Sequence, residues 1–158
     1  MRARTFIVGC ALVMLAGCGD THDAAPRDAL QAFLAHVVAD DVNGACAKAT
    51  PAAVAELARD FRGRDCAATL GAVARYVRTA PGQRRALERA RILAQGDTPL
   101  SPAPTRAEAR TTSLRVQLRD PVLRRTQKLD VTLRRAGDGW RVDGGVAALF
   151  TLLRSPAV

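Results

Sequence analysis

Sulfur offers the most versatile chemistry in this chain, with cysteines at positions 10, 18, 46 and 66. A thiol can carry an acyl group, ligate a metal as thiolate or join a second thiol. Proton transfer would fall to His36, Asp40, Tyr76 or Asp130, the four side chains that invite it, but they form no recognised motif. His36 falls off the apolar stripe of its helix and reads most simply as a solvated surface residue. Asp40 and Asp41 lie at a helix end, a common turn role, and Tyr76 fits the edge of a core. The sequence has no nucleophile elbow, phosphate-cradling glycine loop or dinucleotide fingerprint. Zinc also fits poorly, because His22 and His36 stand at no ligand spacing from Cys46 or Cys66. No catalytic residue, metal or cofactor is therefore expected.

Cys18 has distinctive surroundings. Arg2 and Arg4 precede an almost wholly apolar stretch over 5–16, and the chain turns persistently polar only beyond Cys18. This is the layout of an export signal, shorter than the roughly 20 residues a spanning helix needs. Leu15-Ala16-Gly17-Cys18 resembles the lipobox of bacterial lipoproteins. The resemblance implies cleavage before Cys18 and a lipid on its thiol, palmitate among the acyl chains. Residues 1–17 are then a signal peptide, and the mature chain is anchored to the cell membrane on its extracytoplasmic face. A conventional signal cut nearby and a short uncleaved helix are the competing readings. On the lipidated reading Cys10 leaves and Cys18 is occupied, so Cys46 and Cys66 remain where disulfides persist. They are expected to pair; two buried thiols are the alternative.

The elements that must position these groups fall into two blocks. Residues 18–25 form the lipidated cysteine and a polar tether, and 26–154 a single domain. Leu30, Phe33, Leu34, Val37 and Val38 give one helical face, which Asn43-Gly44 is expected to break. Thr50-Pro51 opens a second helix with Val54, Leu57 and Phe61 inward, ended by Gly63. Asp65 caps a third, carrying Leu70, Val73 and Val77 up to Pro81-Gly82, and one more turn covers 83–89. The period then changes to two. A short strand is expected at 91–95 and a loop with three prolines at 96–106. Leu114, Val116 and Leu118 alternate with Arg115, Gln117 and Arg119, and Leu129, Val131 and Leu133 with Asp130, Thr132 and Arg134. Gly137-Asp138-Gly139 turns into Trp140, Arg141 and Val142, a hairpin. Val146, Leu149, Phe150 and Leu153 suggest a last helix, or else a tail covering the sheet.

Helices first and antiparallel strands afterwards imply an α+β domain with helices on one face of a curved sheet. Together with Ala45-Cys46-Ala47, Thr50-Pro51, Asp65-Cys66-Ala67 and 137–144, the layout resembles the nuclear transport factor two-like, or cystatin-like, fold of small exported actinobacterial lipoproteins over most of 27–145. The resemblance implies a cone with Trp140 and Val142 pointing inward and Asp40, Tyr76 and Trp140 as possible cavity residues. It leaves three functions open: a non-catalytic module binding a small apolar ligand or another envelope protein, a cavity enzyme of isomerase or dehydratase type, and a membrane-proximal spacer.

Charge adds one expectation. Without residues 1–17 the chain keeps 22 basic against 15 acidic side chains, nearly all the basic ones arginine. Arg115, Arg119, Arg134 and Arg141 would share the outward side of adjacent strands, with Arg124 and Arg125 in their connection. A solvated face is the simpler reading; contact with anionic lipid headgroups is the sharper one. Export and the lack of a nucleic-acid-reading motif argue against DNA or RNA as partner.

Overall fold

The computed structural model describes residues 24–93, 111–121, 124–137 and 139–154. Cys18, the expected signal, most of the expected tether, the loop expected at 96–106 and Asp138 of the final turn lie outside them. Helix α1 (Ala24–Val38) takes its first two residues from the expected tether. Pro26 stays within its first turn, where no intrahelical N–H is needed. Leu30, Phe33, Leu34 and Val37 are buried, as the stripe requires.

The break expected at Asn43-Gly44 is instead a short helix, α2 (Val42–Ala47). Its cause is local. The Asp41 carboxylate accepts from the Gly44 N–H at 2.9 Å and caps the new turn, while a Cβ on Gly44 would collide with the His36 ring. Helices α3 (Pro51–Phe61) and α4 (Cys66–Thr79) begin where the capping residues placed them. Thr50 Oγ1 accepts from the Ala53 N–H at 3.4 Å, and the Asp65 carboxylate from the Ala68 N–H at 2.8 Å. Helix α5 (Pro81–Glu88) leads into strand β1 (Arg91–Leu93).

Strands β2 (Thr111–Arg119), β3 (Thr126–Ala136) and β4 (Gly139–Gly144) follow, and the four form one antiparallel sheet in the order β1-β2-β3-β4. Leu114 lies opposite Val131 and Leu133 opposite Val142, all buried on one face. Helix α6 (Val146–Arg154) closes the described chain with Val146, Leu149, Phe150 and Leu153 buried, so the last segment is helical. The domain is thus α+β. Phe33 of α1, Leu57 of α3, Leu70 of α4, Leu133 of β3 and Phe150 of α6 meet in one core, each fully buried. Trp140 joins that core only in part. It sits next to the hairpin turn, opposite Arg135, whereas Val142 reaches the interior.

Two devices finish the sheet. The open edge of β4 is covered by the chain at 48–50, where the Thr50 N–H donates to the Val142 carbonyl and the Val142 N–H to the Lys48 carbonyl, both at 2.8 Å. Gly145 then turns β4 into α6 with φ +76°, and a Cβ there would collide with the Asp130 carbonyl.

Candidate functional site

The structure does not gather the acid–base candidates. Asp40, at the end of α1 with φ 62°, pairs its carboxylate with Arg78 of α4. The Tyr76 hydroxyl donates to the Leu153 carbonyl of α6. His36 Nδ1 lies 2.8 Å from Asp41 Oδ2 on the surface, and Asp130 faces Arg115. Neither Asp40, Tyr76 nor Trp140 lines any of the three clefts described below. Among the described residues no three His, Cys, Asp or Glu side chains are placed to hold a metal ion, and no helix is long and apolar enough to cross a membrane.

The cysteines do come together. Cys46 of α2 and Cys66 of α4 form a disulfide-compatible pair, Sγ atoms 2.09 Å and Cα atoms 6.0 Å apart. They border a cleft of about 760 Å³ between α3, the start of α4 and the β4 edge. Its surface carries Ala49, Pro51, Val54, Ala55 and Ala58, and Arg59, Arg64 and Arg141 stand around them. No described carboxylate pairs with these three arginines. The one acidic residue in the lining, Asp65, already accepts from the α4 backbone.

The arginine stripe of the sheet divides. Arg115 and Asp130 are register partners on β2 and β3, joined at 2.8 and 3.2 Å through two guanidinium nitrogens. Hydrogen bonding from Arg115 holds the Asp130 carboxyl below the ordinary carboxylate range despite the opposing effect of desolvation, and the same bond raises Arg115. Arg134 stands opposite Arg141, a like-charge arrangement relieved by Asp143 beside the bulge at Thr132/Leu133. Asp143 accepts from Arg134 Nε at 3.0 Å and from the Thr50 hydroxyl at 2.7 Å. Arg115 and Arg134 are therefore matched within the sheet. Arg141 turns to the cleft beside the cysteines, and Arg119 to a second cleft.

That second cleft, about 360 Å³, lies between α5 and the β2–β3 connection, with Arg85, Arg89, Arg119 and Arg124 around it. A third, about 470 Å³, separates α1 from α5 and β1 and is lined by Leu34, Val38, Leu87 and Ile92 with Arg27 and Arg84. Arg59, Arg64, Arg85 and Arg89 escaped sequence reasoning because each is an ordinary exposed helix or turn position. The one signal present was the i, i+4 spacing of Arg85 and Arg89. Comparison with known families, curated proteins and solved structures finds no match to this chain.

Proposed function

We propose that this chain is an exported lipoprotein, anchored through Cys18, that acts as a non-catalytic binding module for a small amphipathic molecule with an apolar body and an anionic head. The observation that carries the reading is the cleft beside Cys46 and Cys66. An apolar floor ringed by three arginines, none matched by a described carboxylate, suits such a molecule, and about 760 Å³ falls within the usual range for small-molecule sites. The cysteine pair supports the exported setting, since a bond between them persists in an oxidising compartment. Helices preceding an antiparallel sheet are consistent with a nuclear transport factor two-like domain. In this reading the ligand sits at a seam between α3, α4 and β4, away from Asp40, Tyr76 and Trp140.

A fluorescent long-chain carboxylate is the probe. It should bind the full chain saturably, bind at least tenfold more weakly to Arg59→Gln/Arg141→Gln, and be preferred over the matching alcohol. Equal binding of acid and alcohol, or an unaffected variant, would overturn the assignment of the cleft. The anchor is tested separately by intact mass: membrane-extracted protein should carry diacylglyceryl on Cys18, and Cys18→Ala should leave the membrane fraction.

A further inference from the structure

The cleft between α5 and the β2–β3 connection is lined by four arginines, Arg85, Arg89, Arg119 and Arg124. Gly82, Arg85 and Ala86 of α5 and its C-cap residue Arg89 lie at i, i+3, i+4 and i+7, so two small residues form a hollow flanked by two arginines. Arg119 and Arg124 approach from the other wall, where a Cβ on Gly82 would make an ordinary 3.4 Å contact with Pro121. Folding thus brings together four guanidinium groups from separate segments.

Four arginines elsewhere pair with carboxylates, Arg78 with Asp40, Arg84 with Glu88, Arg115 with Asp130 and Arg134 with Asp143. Those around this cleft do not. Arg85 Nε donates to the Pro81 carbonyl at 3.2 Å, and no described carboxylate pairs with any of the four. The acidic residue in the lining, Asp120, is 2% exposed, and its backbone N–H is tied to the Arg125 carbonyl at 2.8 Å. One acidic residue against four guanidinium groups leaves the cleft strongly positive. Like charges placed at i, i+4 and across a narrow hollow repel one another, and a bound anion removes that repulsion.

We propose that this cleft is a binding site for a phosphate group, supplied by an anionic phospholipid headgroup. Arginine forks match phosphate oxygens in paired hydrogen bonds, and about 360 Å³ admits a phosphodiester with its small substituents. The membrane source rests on the lipid-anchor reading. Helix α5 also borders α1 at Arg27, three residues beyond the first residue of α1. The six steps from Cys18 to Ala24 span at most about 20 Å, so α5 stays close to the acylated surface. The site would orient the domain on the bilayer.

Calorimetric titration of the full chain in zwitterionic detergent tests this, with short-chain phosphatidylglycerol, short-chain phosphatidylcholine and inorganic phosphate as probes. Phosphatidylglycerol should bind saturably, phosphate should compete, and phosphatidylcholine should bind far more weakly. Arg89→Gln/Arg119→Gln should weaken binding about thirtyfold, the equivalent of about 2 kcal/mol at 1.4 kcal/mol per decade. Arg75→Gln/Lys128→Gln removes the same charge outside the cleft and should change it less than threefold. Equal losses in the two variants, or no saturable binding, would overturn the site. Phosphate binding without phosphatidylglycerol binding would overturn the membrane source. An unmodified Cys18 would refute the anchor while leaving the titration result for the cleft standing.

Discussion

Removing the Cys46–Cys66 link is the most informative perturbation, because one bond bears on both stability and the proposed site. The two residues are separated by 20 positions. In the chain-entropy treatment a closed loop of that length restricts the unfolded chain by about 11 cal/mol/K, or about 3.3 kcal/mol at 25 °C. Marginal domains hold only about 5–15 kcal/mol in total, so the link supplies a large share. With about 2.1 cal/mol/K of unfolding entropy per residue and roughly 130 residues in the domain, the midpoint should fall by about 12 °C. Differential scanning calorimetry of Cys46→Ser/Cys66→Ser against the oxidised protein measures that shift. Reductant should lower the midpoint of the native sequence to that of the variant and leave the variant unchanged. Both cysteines line the 760 Å³ cleft, so the fluorescent carboxylate should also bind the variant more weakly at a temperature where both proteins are folded. A fall of less than 3 °C, or a variant that still responds to reductant, would refute the reasoning.

Two further outcomes follow from the hydrogen bonds. Glu56 of α3 accepts from the Gly145 N–H at 2.9 Å and the Ala147 N–H at 3.2 Å, tying the start of α6 to α3. Glu56→Ala should cost about 2 kcal/mol by calorimetry and expose the α6 amides first in hydrogen exchange. The Asp41 carboxyl is held below its ordinary value by the Gly44 backbone N–H, opposed by desolvation and aided by His36, and Asp130 is lowered by Arg115. Groups depressed on folding stabilise fully above the unfolded carboxylate value near pH 4, and that contribution is lost as pH falls through the folded values. Asp41→Asn and Asp130→Asn should therefore flatten the acid limb of a pH-denaturation curve below about pH 4 and leave its slope near neutrality unchanged.

Most of the element order was legible because it rests on periodicity and capping, both local. Thr50 and Asp65 cap the helices they were expected to start, and Leu114, Val116 and Leu118 are buried together. Helix α2 was not legible. Asn43-Gly44 is a turn signal on its own, and only the approach of His36 and Asp41 to the Gly44 position turns it into a helical one. The partners of the sheet arginines were hidden for a related reason. Alternation assigns Arg115 and Arg134 to a face but says nothing of what stands opposite, and the register places Asp130 against the first while the bulge delivers Asp143 to the second. The clefts were the least legible, since each joins residues from segments dozens of positions apart.

Where the charge ends up then decides where binding can occur. Phe33, Leu57, Leu70, Leu133 and Phe150 are fully buried between helices and sheet, and the arginine-lined clefts of the described residues lie at the seams around that core. Four arginines are spent on carboxylates that fix α1 to α4, brace α5 and cross-link the strands. Arg59, Arg64 and Arg141 at one seam, and Arg85, Arg89, Arg119 and Arg124 at another, have no such match among the described residues. Matched arginines act on the fold, and their loss should read out as stability. Unmatched ones in a concave seam contribute little to stability and keep their donors for an anion, so their loss should read out as affinity with the melting temperature almost unmoved.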